Sequence, residues 1–322
     1  MMKKILVLHT GGTISMAEDA NGRVAPNAVN PMNAVNMPLD SIHMVSEDIF
    51  NLPSPHITPN EMLLLKNRIN KAFAQEDFDG VVITHGTDTL EETAFFLDST
   101  IPRGKPIVLT GAMRSSNELG TDGIYNFLSA LRVAADDASH DRGVLVVMND
   151  EIHSARYVTK THTTNVSTFQ TPTHGPVGLA TKHKLFYFHT DSENQHLDIS
   201  SVQGKVPIVK AYAGMTGEVF DLFDLSSLDG LVIEALGAGN LPPTAAQKLG
   251  HILAMDIPVV LVSRCFNGIA EPVYAYEGGG SKLAEAGVMF APEVNSQKAR
   301  IKLLIGLNGG LHGEQLKNFV EN

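Results

Sequence analysis

The chain has 322 residues, 43% of them hydrophobic, enough to bury a large core and, at about 150 residues per domain, to form two domains. Its net charge is −11 and its lysines and arginines form no cluster, which excludes a phosphate-neutralising nucleic-acid surface. One cysteine excludes an intramolecular disulfide, and no apolar run nears the ~18 residues of a membrane span.

The chain opens Met1-Met2-Lys3-Lys4, and the apolar run that follows, residues 5–8, is shorter than the about 7–15 residues of a secretory core segment, so the cytoplasm is the expected location. That run, Ile5-Leu6-Val7-Leu8, reads as a strand ending in a glycine turn loaded with threonine, His9-Thr10-Gly11-Gly12-Thr13. Residues 18–23 are polar and predict a mobile surface loop near that turn. Residues 26–60 hold several prolines and little periodicity beyond a short strand over 43–46. Thr58 then caps a helix, with Pro59 in the first position, Glu61 completing a capping box, and Met62, Leu65, Ile69 and Phe73 at helical spacing.

A second apolar run, Val81-Val82-Ile83, ends in Thr84-His85-Gly86-Thr87-Asp88-Thr89. A helix over 90–98, a strand over 107–110, a helix over 125–135 and a strand over 143–148 follow. This alternation predicts an α/β fold, a parallel sheet with helices on both faces. Residues 175–190 read as strands around short turns. The unpatterned polar stretch 191–205 reads as a linker between a larger amino-terminal domain, 1–190, and a smaller, Rossmann-like α/β domain, 206–322. The second domain shows strands near 208–211, 230–234 and 259–262 and helices near 244–255 and 296–305. Cys265, just past the strand at 259–262, is expected to be a buried, inert thiol.

Three strand ends carry polar turns: Thr10-Gly11-Gly12-Thr13, Thr84-His85-Gly86-Thr87-Asp88 and Thr110-Gly111-Ala112-Met113-Arg114. In an open α/β sheet the crevice beyond the carboxyl ends of the strands holds the ligand, which makes Thr13 and Thr87 two candidate hydroxyls for one crevice. Threonine becomes a nucleophile once a base takes its proton. Free N–H groups in such turns suit a carboxylate, a phosphate or an oxyanion, although neither a dinucleotide fingerprint nor a Walker pattern is present. Asp88 is either a helix cap or a carboxylate for a substrate ammonium. Lys160, within Tyr157-Val158-Thr159-Lys160-Thr161-His162-Thr163-Thr164-Asn165, is either a solvated surface residue or a base among neutral hydroxyls. The 13 histidines show no metal-ligand spacing, and His85 is expected to be a packed, hydrogen-bonded residue; no metal is expected. No G-x-S-x-G elbow occurs.

Taken together, Thr10-Gly11-Gly12-Thr13-Ile14, Thr84-His85-Gly86-Thr87-Asp88-Thr89 with Glu91-Glu92-Thr93, Thr110-Gly111-Ala112-Met113-Arg114, and the stretches 144–150, 158–161 and 297–300 resemble the bacterial L-asparaginase family. The resemblance implies hydrolysis of L-asparagine to L-aspartate and ammonia through an acyl-threonine, with no cofactor. It also implies a homotetramer of intimate dimers with sites at the dimer interface. By motif, Thr13 matches the nucleophile, and Thr87, Lys160 and Asp88 the second catalytic group. Ser54 aligns with the serine on the substrate's α-carboxylate and Asp88 with the carboxylate on its α-ammonium. Ala112 supplies a backbone carbonyl near the leaving amide, and Asn240 reaches in from the partner subunit. Gly12 and Gly86 belong to the substrate-binding turns. Three positions depart from the family's pattern: Arg23 stands where many members carry a lid tyrosine, Pro55 where many carry glutamine, and Glu277, the second acidic contact, lies where the alignment is irregular. Beside an asparaginase, the likeness leaves open a glutaminase-asparaginase, the amidase subunit of a tRNA-dependent amidotransferase (which carries an extra amino-terminal domain where this chain starts at its first strand), and a non-catalytic amino-acid sensor on the same scaffold.

Overall fold

A computed structural model describes residues 2–27, 30–34, 41–192 and 195–322, in two compact units, Met1–His196 and Leu197–Asn322. Residues 193 and 194 of the expected linker lie outside the described residues.

The first unit is built on an eight-stranded sheet. In chain order its elements are β1 (Lys3–His9), β2 (Met16–Glu18), β3 (Val24–Pro26), β4 (Ile42–Asp48), α1 (Pro59–Gln75), β5 (Gly80–Thr84), α2 (Leu90–Thr100), β6 (Ile107–Thr110), α3 (Gly123–Ala135), β7 (Val144–Met148), β8 (Glu151–Ser154), β9 (Thr159–Lys160), β10 (Phe169–Gln170), β11 (Gly178–Ala180) and β12 (Leu185–Tyr187). The sheet order is β12-β11-β8-β7-β6-β5-β1-β4. Strands β4, β1, β5, β6 and β7 run parallel, and β1, β5, β6 and β7 carry near-continuous buried apolar runs, as strands covered on both faces do, whereas the edge strand β4 is partly exposed. Ile5 through Leu8 and Val81 through Ile83 are fully buried. The register pairs His9 with Thr84 and Thr84 with Thr110, so the three glycine turns leave the sheet at one level.

The sheet is not wholly parallel, as the alternation suggested. Strands β8, β11 and β12 join one edge antiparallel. The cause is local: Asn149 and Asp150 both take positive φ, 50° and 67°, which makes a tight hairpin turn between β7 and β8 and reverses the chain without a crossover helix. The stretch 18–23, expected as a surface loop, is the exposed turn that joins two short strands. Strands β2 and β3 pair as a hairpin whose tip is tied by the Asp19 carboxylate, which accepts the N–H groups of Asn21 and Arg23. Its base is pinned by Ser116 Oγ on the Met16 carbonyl at 2.8 Å and by Asn117, which pairs with the Glu18 backbone in both directions.

Helix α1 starts with the expected capping box on Thr58 and Glu61. Its Arg68 donates two hydrogen bonds, at 2.7 and 2.6 Å, to Glu47 and fastens the helix to β4.

The second unit holds a parallel sheet in the order β13 (Ile208–Lys210), β14 (Leu231–Ala235), β15 (Val259–Ser263), β16 (Met289–Phe290). Helix α4 (Pro243–Leu253) buries Ala245, Leu249 and Ile252 in its core. Helices α5 (Gly280–Glu285), α6 (Ser296–Asn308) and α7 (Gly313–Glu321) complete it. Cys265 is exposed, contrary to the expectation of a buried thiol. Strand β15 ends at Ser263, and the chain beyond it leaves the sheet, so the thiol falls outside the core.

Candidate active site

The crevice of the first unit is assembled by backbone contact before any side chain takes part. Gly11 and Gly12 both hold positive φ, 102° and 84°. A β-carbon on Gly12 would fall inside contact distance of the Gly86 backbone, and one on Gly86 would lie 2.7 Å from Ser54 Oγ. On Gly111 it would lie 2.6 Å from the His85 carbonyl. Glycine is therefore required at all three places, and the three strand-end turns interlock with the segment carrying Ser54.

Thr13 opens a short 3₁₀ turn, Thr13–Ser15, closed by Ser15 Oγ on the Gly12 carbonyl at 2.9 Å. Its half-buried side chain makes no hydrogen bond among the described residues, so the hydroxyl stays available. Thr87 is buried, and its Oγ1 accepts a hydrogen bond from Lys160 Nζ at 2.9 Å. The same ammonium donates to Asp88 Oδ1 at 2.7 Å. The lysine side chain is only 17% exposed whereas the aspartate is 60% exposed, so Asp88 faces solvent and can receive a second cation. Asp88 does not cap α2 with its side chain, which leaves Oδ2 for a ligand beside the Oδ1 bond to Lys160.

Buried Ser54 accepts the Asp88 N–H on Oγ at 3.2 Å, and its carbonyl accepts Thr89 Oγ1 at 2.8 Å. Its hydroxyl proton is left for an anionic group. Pro55 beside it is exposed. The Ala112 turn is held from behind by Asp122, whose carboxylate accepts the N–H groups of Met113 and Arg114, and by Asn126 Nδ2 on the Gly111 carbonyl at 3.0 Å. Arg23 is exposed on the β2–β3 hairpin, and its guanidinium has no partner among the described residues.

The structure thus gathers Gly12, Ser54, Gly86, Thr87, Asp88 and Lys160 around interlocked turns, with Thr13 and Ala112 on the same turns. Asn240 and Glu277 belong to the second unit. There Asn240 Oδ1 accepts the Gly280 N–H at 3.2 Å, and Glu277 pairs with Lys282 at 3.2 Å.

Two supports had no strong signal in the sequence. Glu91, buried in the first turn of α2, accepts the backbone N–H of Lys160 at 2.5 Å and seats β9 against the crevice. Asp122 and Asn126 anchor the third turn. The i, i+4 spacing of that pair was the available clue.

His85 is fully buried and hydrogen-bonded, as expected. Its Nδ1 lies 2.7 Å from the Gly86 carbonyl and its Nε2 2.9 Å from Thr93 Oγ1. Burial pushes the imidazole down to about 4, against the pull of the Gly86 hydrogen bond, so it is neutral around pH 7.

Comparison with known proteins yields matches over both units. Residues 4–193 match the family described as Asparaginase, N-terminal, and residues 205–319 match the Glutaminase/Asparaginase C-terminal domain. The chain is 41% identical over 321 residues to a probable L-asparaginase of Deinococcus radiodurans, covering 98% of this chain and 96% of that protein. It is 35% identical over 327 residues to L-asparaginase 2 of Escherichia coli, covering 98% and 92% respectively. The crystal structure of a probable cytoplasmic L-asparaginase from Campylobacter jejuni matches with a TM-score of 0.88 and 32% identity over 99% of each chain.

Proposed function

Because the chain belongs to the L-asparaginase family over both of its domains, we propose that it hydrolyses L-asparagine to L-aspartate and ammonia, with Thr13 as the nucleophile. The observation that carries the assignment of roles is the placement of Lys160 Nζ on both Thr87 Oγ1 and Asp88 Oδ1, beside turns that interlock through Gly12 and Gly86.

In this reading the substrate's α-carboxylate takes the Ser54 hydroxyl and its α-ammonium takes the open side of Asp88. A small zwitterion is then clamped at both ends, which supplies orientation. Thr13 Oγ attacks the side-chain amide carbon as its proton passes through the Thr87 hydroxyl to Lys160, which in this step must be the neutral amine, the form with a lone pair to take it. The oxyanion meets preorganised N–H donors of the two turns, and each such donor is worth about 2.7–4 kcal/mol. Collapse breaks the C–N bond, the nitrogen takes up the relayed proton and leaves as ammonia, and an aspartyl ester of Thr13 remains. Water then attacks that ester over the same relay and returns the proton to Thr13.

The ammonium of the substrate and Lys160 Nζ share one carboxylate, so substrate binding itself loosens the grip of Asp88 on Lys160. The carbonyl of Ala112 is the acceptor nearest the leaving amide. The second domain, from about residue 206, completes the site of a partner chain through Asn240, with Glu277 as a further acidic contact, in a dimer of dimers. Arg23, on the β2–β3 hairpin, stands in this reading where the family carries its lid residue. A cytoplasmic location belongs to the same reading and is supported by the likeness to the Campylobacter protein.

The test is ammonia release from asparagine and glutamine by the purified protein, with Thr13→Ala assayed alongside. Turnover of asparagine should fall at least about a thousand-fold in the variant. Equal turnover in variant and parent removes Thr13 from the nucleophile's role, and no turnover by the parent removes the reading altogether.

A further inference from the structure

The strand-end turn at residues 84–89 contains two fully buried side chains, Thr84 and His85, and the proposed chemistry uses neither. The imidazole of His85 lies beneath the crevice, 0% exposed. A carbonyl only accepts, so Nδ1 carries the proton and donates it to Gly86 O at 2.7 Å, while Nε2 accepts from Thr93 Oγ1 at 2.9 Å. Thr93 is itself fully buried in the first turn of α2. The ring therefore bridges the helix to the carbonyl of a single peptide group, the one between Gly86 and Thr87. The backbone N–H of His85 adds a third tie, to the Thr110 carbonyl at 2.9 Å.

That peptide is trans, like every peptide bond described, so its C=O and N–H point in opposite directions. With the carbonyl drawn inward to the imidazole, the Thr87 N–H must point outward, away from the buried layer. It makes no hydrogen bond among the described residues, although Thr87 is buried and an idle buried donor is ordinarily costly. Gly86 is free to take other peptide orientations, which makes an external hold on this carbonyl necessary.

We propose that His85 is a positioning residue: its Nδ1–H holds the Gly86 carbonyl inward and thereby aims the Thr87 N–H at the developing oxyanion. This rests on the amide-hydrolase reading above. It assigns the buried histidine to transition-state geometry. The neutral ring that burial enforces is the form the arrangement uses, because a doubly protonated ring has no lone pair for Thr93.

The experiment compares steady-state kinetics on asparagine for the parent, His85→Asn and His85→Leu. The amide nitrogen of asparagine can occupy the Nδ1 position and donate to Gly86 O; leucine fills space and donates nothing. The expected result is a fall in kcat of about five-fold or more for His85→Leu at unchanged KM, one lost hydrogen bond's worth, with kcat of His85→Asn within about two-fold of the parent. Equal kcat in the leucine variant and the parent overturns the proposal. So does an equal loss in both variants, which reduces the ring to filler, or an effect confined to KM. If the leucine variant does not fold, Thr93→Val takes its place: it keeps the ring and removes its outer tie, and unchanged kcat there is equally fatal. An inactive parent enzyme would instead count against the function reading, so the two failures are distinguishable.

Discussion

A methyl group at residue 12 is forbidden twice, once by a φ of 84° and once by the Gly86 backbone that occupies the same space. Neither obstacle is the end of a flexible side chain, so Gly12→Ala should separate the two threonine turns. We expect activity lost by at least about a hundred-fold together with a lowered unfolding midpoint, read by kinetics and thermal denaturation. Lys160 makes a different case, because its surroundings tolerate a neutral replacement. Lys160→Met keeps the length and removes the donor to Thr87 and Asp88, and kcat should fall by about 10²–10⁴ while the fold, read by circular dichroism, stays intact. At this scale Thr13, Thr87 and Asp88 were legible because each sits where an apolar strand stops at glycine, a pattern contained in a few consecutive residues. Cys265 was misread for the same reason. An apolar run nearby says nothing about whether the next residue is still in the sheet.

Helix α1 shows how far local chemistry reaches. Thr58, Pro59 and Glu61 specify its start in four residues, and the Thr58 N–H meets the Glu61 carboxylate at 2.8 Å. Replacing Thr58 by alanine should cost about 1 kcal/mol and lower the unfolding midpoint by a few degrees, with kinetics unchanged, since its side chain bonds within the first turn of α1, to Asn60 and Glu61. The short elements were harder to read. Strands β8, β9 and β10 hold four residues or fewer, too few for a period to show, and the pairing of β8 with β7 depends on Asn149 and Asp150 adopting positive φ. The β2–β3 hairpin was read as a loop because its tip is polar; what orders it is one carboxylate, Asp19, taking two backbone N–H groups.

For the molecule as a whole, the buried neutral His85 sets part of the acid sensitivity. Its ordinary value of 6.5 falls to about 4 on folding, so between those values the unfolded chain binds the extra proton and stability rises with pH. The contribution is fully present above pH 6.5 and is lost as pH falls towards 4, a loss on the order of 3 kcal/mol. Denaturant unfolding followed from pH 7 to 4 should show a shallower pH slope for His85→Asn than for the parent. The proposed dimer gives a sharper check. Thr13→Ala and Asn240→Ala chains, each inactive alone, should on mixing and reassembly recover about one quarter of parental activity, because one site of each heterodimer is intact. No recovery would argue that Asn240 serves its own chain or none. The sequence by itself determined the α/β alternation, the strand-end threonines and the cap of α1, since each depends on side-chain periodicity or backbone freedom within a few residues. Only the tertiary structure decided that Lys160 reaches Thr87 across 73 residues of chain, that Glu91 seats it, and that His85 turns inward. Those contacts follow from strand register and glycine-to-glycine approach, which are set by packing between distant segments and leave no mark on the residues beside them in sequence.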